Sequence, residues 1–198
     1  MPPVSFTIDV PDAALEDLQN RLSATRWPGS IDDESWDDGA SLAFMRRLAD
    51  HWQNRFDWRL QERRLNRMPQ FMATIDDQDV HFVHRRGIGP SPIPIVITHG
   101  WPGSFVEMEQ LIPLLADPGA HGGDPADAFH VVVPSLPGYG FSPAPTEGAQ
   151  ARGKSLCYGA SSWPSSAITG SPRGAATSAQ GYPSGWHGCF RTSSAASI

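Results

Sequence analysis

The 198-residue sequence holds only two cysteines, Cys157 and Cys189, both in its last quarter. They are too few for a disulfide framework and too far apart for a metal knuckle, so no structural metal is expected. Nowhere is there an apolar run of the ~18 residues needed to cross a bilayer, so no membrane partner is expected. The start, Met1-Pro2-Pro3-Val4-Ser5, lacks a basic stretch followed by an apolar one, which points to a cytoplasmic protein without a cleaved signal. Basic surplus is missing too. With a net charge of −6 and a pI near 5.5, the chain has no stripe to neutralise phosphates, and nucleic acid is not an expected partner.

Lysine is nearly absent, and its one position is informative. Up to Glu147, the last acidic residue, eleven arginines face twenty-one acids, a net charge of −10. Beyond it stand Arg152, Lys154, Arg173 and Arg191 with no acid at all, a net charge of +4. Leu156, Ile168 and Ile198 are the only aliphatics larger than alanine in residues 149–198, where Ser, Ala, Gly and Pro fill thirty positions. So few apolar groups do not offset the entropy of ordering, and an irregular tail is expected over 148–198. Lost acids, lost periodicity and the first Lys and Cys together suggest a reading-frame shift near Gly148.

Before that point the patterns are strong. Residues 5–10 form an extended arm, and Pro11 suits a helix start, after which Leu15, Leu18 and Leu22 share one face. Trp27-Pro28-Gly29 is expected to stop that helix. A second helix is predicted from about Gly39 to Asn54 on the stripe Leu42, Met45, Leu48 and Trp52, and a third from Trp58 to Asn66. Strands are predicted at Phe71–Ile75 and Val80–Val83 around a turn at Asp76-Asp77-Gln78. Ile93–Ile97 and Ala128–Val133 have the continuous apolar character of buried parallel strands. Between them, Phe105, Met108, Leu111, Ile112 and Leu115 are spaced as one helix, which Pro113 should kink or end. Strand, helix, strand with short connections is an α/β pattern.

The chemistry-bearing segment is Thr98-His99-Gly100-Trp101-Pro102-Gly103-Ser104, directly after a buried strand. A Gly-x-Pro turn there aims the Trp101 N–H into the crevice beyond the strand's carboxyl end, where open α/β sheets bind ligands. Such an amide can stabilise an oxyanion; the plainer alternative is a tight strand-to-helix turn. His99, Gly100 and Pro102 would shape the substrate side of this turn, His99 as a hydrogen-bonding residue rather than a base. Ser104 and Glu107 have capping-box spacing. After the next strand, Pro134-Ser135-Leu136-Pro137-Gly138-Tyr139-Gly140-Phe141-Ser142 is either a pocket-lining loop at the same edge or plain surface. His81 and His84 lie three apart on a strand and face opposite sides, so they do not share a metal.

These segments, with Thr25-Arg26-Trp27-Pro28, Asp57-Trp58-Arg59, Pro69-Gln70-Phe71 and Asp124-Pro125-Ala126-Asp127, resemble epoxide hydrolases of the microsomal and juvenile-hormone type. The resemblance covers roughly residues 4 to 146. It implies an α/β class: a helical meander over 1–72, an incomplete α/β-hydrolase sheet over 73–147, and the irregular tail. It also implies a small epoxide as substrate, no cofactor, and two-step hydrolysis to a vicinal diol through an ester. In the family a carboxylate on a sharp turn forms the ester, two lid tyrosines hold the ring oxygen, and a histidine–acid pair activates water. Only His99-Gly100-Trp101-Pro102 carries over, with Trp101 as the oxyanion-hole amide.

The departure lies downstream, where a small-x-nucleophile-x-small turn is expected. The nearest match, Gly181-Tyr182-Pro183-Ser184-Gly185, centres on a proline, and Tyr158 and Tyr182 stand in sequence unlike a lid. The expectation is therefore a truncated, inactive family member. Two alternatives stand beside it: a non-catalytic module binding a homologous hydrolase subunit, and an α/β-hydrolase of other specificity.

Overall fold

The computed structural model describes residues 2–145, except 38 and 76, together with the backbone of Ala175–Ser178. Contacts divide the chain into a helical unit, Ile8–Leu65, and a sheet unit, Met1–Thr7 with Asn66–Ile198.

In the helical unit, α1 (Asp12–Ser23) starts behind Pro11, whose carbonyl accepts the Ala14 N–H at 2.9 Å. It closes on the Ala24 N–H, before Trp27-Pro28-Gly29 is reached. Helix α2 (Leu42–Asn54) begins at Ser41, whose hydroxyl accepts the Phe44 N–H at 3.2 Å and donates to Asp33 O at 2.8 Å. A serine in that place satisfies an amide the helix itself leaves without a partner. Helix α3 (Trp58–Leu65) starts in the same manner, with Asp57 Oδ1 accepting the Leu60 N–H at 2.9 Å. Its Glu62, only 7% exposed, accepts from the Val10 N–H at 2.8 Å, the Trp58 indole at 3.2 Å and Arg59 at 2.6 Å. The Val10 amide foremost, then Arg59 and Trp58, hold this carboxyl below its usual range. Leu15 and Leu18 of α1 and Leu48 and Trp52 of α2 line an apolar groove of about 710 Å³.

The sheet unit contains β1 (Val4–Phe6), β2 (Gln70–Ile75), β3 (Gln78–Arg85), β4 (Ile93–Thr98), β5 (Phe129–Pro134) and β6 (Ala175–Ser178). Their order is β1-β2-β3-β5-β4-β6; the first three and β5 pair antiparallel, while β5, β4 and β6 run parallel. The α/β class expected from the sequence is thus a mixed sheet with helices. The β2–β3 hairpin pairs Ile75 with Gln78, leaving a two-residue turn whose Asp77 has φ 63°. Aspartate tolerates that left-handed conformation better than most residues.

Alternation sets the two faces. On one, Ala73, Ile75, Val80, Phe82, Val96 and Val132 form a buried cluster. On the other, Val83, Val131 and Val133 are fully buried, and contacts run from β3 and β5 to the helix α4 (Leu111–Ala116).

Three local expectations need correction. The single helix expected over Phe105–Leu115 is a 3-10 turn, Phe105–Met108, followed separately by α4. Pro113 neither ends nor breaks α4, because it occupies the first turn, where a missing N–H costs nothing. Ser104 does not form the reciprocal capping box: its hydroxyl accepts the Val106 N–H at 3.4 Å on the tighter 3-10 turn. The irregular tail contains one strand, β6, paired through Ala176 with Val96; its other residues lie outside those described.

Candidate functional site

Parallel β4 and β5 end at one sheet edge, and each is followed by one of the two segments singled out from the sequence. After β4, His99 turns inward and is 3% exposed. Its Nε2 accepts the Leu136 N–H at 3.1 Å, which requires the ring proton on Nδ1, 3.4 Å from Gly100 O. Burial lowers the His99 pKa, against weaker upward influences from Gly100 and Glu107, so the neutral ring this acceptor needs is favoured. The Gly103 N–H closes the turn onto Gly100 O at 2.7 Å, and the Trp101–Pro102 bond is cis. Trp101 itself is 73% exposed. The carboxylate of Glu107, an exposed residue of the 3-10 turn, lies against Gly103. It is an acid that the structure brings beside this turn, which spacing alone did not single out.

After β5, the chain makes two further turns, with Tyr139 N–H to Leu136 O at 2.8 Å and Ser142 N–H to Tyr139 O at 3.0 Å. The Tyr139 ring sits edge-on to His99, centroids 5.3 Å apart. Gly140 has φ 53°, and a Cβ there would stand 2.8 Å from Ser135 Oγ, so both backbone and space require glycine. The loop is therefore joined to the Trp101 turn by one backbone-to-imidazole hydrogen bond and one ring contact. It is anchored in turn through Ser135 and Ser142, which reach His81 on β3.

His81 and His84 do lie on opposite faces: His81 packs on Phe105 and Phe141, His84 on Phe71. Among the described residues no three His, Cys, Asp or Glu side chains are grouped to hold a metal ion. No helix of the described residues is long and apolar enough to cross a membrane. On the far side of β4, Thr98 pairs with Ser178 of β6. Tyr158, Tyr182 and the Gly181–Gly185 segment lie outside the described residues.

A family model for the epoxide hydrolase N terminus matches residues 3–108, more than half of the chain. The chain belongs to that family. A second model, for the alpha/beta hydrolase fold, matches residues 93–162. The two overlap on the β4 strand and the His99–Ser104 turn. A putative epoxide hydrolase of Stigmatella aurantiaca is 51% identical over 142 residues, which are 72% of this chain and 32% of that protein. Epoxide hydrolase 1 of Sus scrofa is 36% identical over 143 residues, 70% of this chain and 32% of that one. The solved structure of Aspergillus niger epoxide hydrolase superposes with a TM-score of 0.64 at 34% identity, covering 73% of this chain and 38% of that one. This member of the family thus spans about a third of the length of the curated relatives it matches.

Proposed function

We propose that these residues build the oxyanion side of an epoxide-hydrolase site and leave out its ester-forming carboxylate. The observation that carries the reading is the 3.1 Å hydrogen bond from Leu136 N–H to His99 Nε2, which joins the two strand-end segments into one wall. In the reaction proposed, a carboxylate attacks a ring carbon, the C–O bond breaks and the ring oxygen takes up a proton, which gives a hydroxyalkyl ester. Water then cleaves the ester, releasing a vicinal diol and restoring the carboxylate. The Trp101 N–H would hold the oxyanion of the second step, with Gly100 and Pro102 shaping the turn and His99 orienting it. Past Glu147 the sequence has no acid, so the 198 residues alone are proposed not to turn over an epoxide.

A chimera tests this: residues 1–145 of this chain joined to the remaining segment of the Stigmatella aurantiaca relative. The chimera is expected to convert styrene oxide to its diol, and the 198-residue chain is not. A folded but inactive chimera would contradict the reading. So would turnover by the 198-residue chain that disappears in Glu107→Gln.

A second reading, a non-catalytic module that docks on a homologous hydrolase, is favoured by the apolar groove between α1 and α2, where Leu48 and Trp52 stay 44% and 45% exposed. Co-purification with a full-length relative, abolished by Trp52→Asp, is its expected outcome. A cytoplasmic setting belongs to the same proposal and is checked by cell fractionation.

A further inference from the structure

His81 is fully buried, yet the chemistry proposed above gives it no part. Its Nε2 meets Gln70 Oε1 at 2.9 Å and its Nδ1 meets Ser135 Oγ at 2.8 Å. An amide oxygen only accepts, so Nε2 carries the proton and Nδ1 accepts from the Ser135 hydroxyl. The His81 N–H donates to Ser142 Oγ at 2.9 Å, and that hydroxyl donates to Ser135 O at 2.7 Å. The Ser135 N–H returns to His81 O at 2.8 Å. Rings of Phe6, Phe105 and Phe141 stand 5.0, 5.0 and 5.4 Å away. One residue therefore holds both ends of the loop Ser135–Ser142, and the next amide along, Leu136, is the one bonded to His99.

We infer that His81 is a positioning residue for the candidate site: by fixing Ser135 and Ser142 it sets the Leu136 amide, and through His99 the Trp101 turn. The inference rests on the reading of that turn as functional, but its test measures the turn's geometry and not its chemistry. Burying an imidazole is costly unless both nitrogens are satisfied, and here both are, by partners on opposite sides of the ring. Two nitrogens at that separation bridge β2 to the loop, which no aliphatic side chain filling the same space can do. Burial holds the ring neutral, with its pKa pushed down to about 4, so Nδ1 remains an acceptor at neutral pH.

Amide hydrogen exchange by NMR on the full chain at pH 7 tests this, comparing Leu136 with Val132 in the centre of the sheet. His81→Asn places an acceptor near the Nδ1 position, whereas His81→Gln reaches only the Nε2 side and leaves Ser135 without its partner. Relative to Val132, Leu136 protection is expected to fall about tenfold in His81→Gln and less than about threefold in His81→Asn, the loss of one hydrogen bond against its rescue. Ser135→Ala removes the same contact from the loop side and is expected to reproduce the selective loss. Equal losses at Leu136 and Val132 in every variant would reduce His81 to a sheet stabiliser and overturn the inference. So would an unchanged Leu136 in His81→Gln. Should a His81 variant fail to fold, Ser135→Ala decides alone, since selective loss supports the inference and uniform or absent loss overturns it. An inactive chimera with normal Leu136 protection would count against the reading of the site and not against His81.

Discussion

Lowering the pH from 7 to 4 is predicted to destabilise the sheet unit through His81. In the folded chain its pKa is pushed down to about 4 by burial; in the unfolded chain it returns to the ordinary value near 6.5. Above 6.5 both states are neutral and the residue contributes no pH dependence. Between 6.5 and 4 the unfolded chain binds the extra proton, so stability falls with falling pH, and the loss nears completion as the folded pKa is passed. A gap of that size corresponds to about 3 kcal/mol at pH 4, a large part of the net stability of a small domain. Urea unfolding of the full chain and of His81→Asn at pH 7, 5.5 and 4 isolates this contribution, because asparagine does not titrate. The wild-type chain is expected to lose about 3 kcal/mol more than the variant between pH 7 and 4. Parallel profiles for the two proteins would show that His81 takes up no extra proton on unfolding. A wild-type chain that gains stability relative to the variant on acidification would require a raised pKa instead.

Two other perturbations follow from the packing. Gly140→Ala forces a left-handed alanine whose Cβ meets Ser135 Oγ at 2.8 Å, and a loss of about 1–3 kcal/mol is expected in thermal unfolding; an unchanged midpoint would contradict the geometry of the loop. Phe82→Ala empties a site 1% exposed in the buried cluster beside Val96 and Val132, and a loss of about 3–5 kcal/mol is expected in urea unfolding; a loss below about 1 kcal/mol would show that face to be loosely packed.

What could be foreseen in the sequence was what neighbouring residues decide. The continuous apolar runs of β4 and β5 formed within a residue of where they were expected, whereas α2 starts at Leu42 rather than Gly39 and β3 takes in Gln78, which was read as part of the turn. The α/β class followed from their alternation. The stretch Phe105–Leu115 was less legible, because apolar spacing does not distinguish a 3-10 turn followed by a short helix from one continuous helix. β1 was legible only as an arm, since its partner Met72 lies far along the chain from Val4. β6 was not legible at all: Ala175-Ala176-Thr177-Ser178 has no apolar alternation, and its strand is defined by pairing with β4. The same distinction governs the site. His99-Gly100-Trp101-Pro102 was visible as a contiguous motif, and His81 and His84 were correctly placed on opposite faces by their spacing. The link from His81 to Gln70, Ser135 and Ser142 was hidden, because it joins residues from three separate segments and depends on the β3–β5 register. Glu107 beside Gly103 was hidden for a related reason, being read there only as a capping partner.

The proposal that the Trp101 turn serves as an oxyanion hole while none of the acids in these 198 residues, Glu107 beside Gly103 included, forms an ester with an epoxide is open to mass spectrometry. The purified chain is exposed to styrene oxide, quenched in acid and peptide-mapped. No hydroxyalkyl ester is expected on any acidic residue flanking the Trp101 turn, Glu107 included. An ester mapped to Glu107, formed in the wild-type chain and absent in Glu107→Gln, would contradict the proposal.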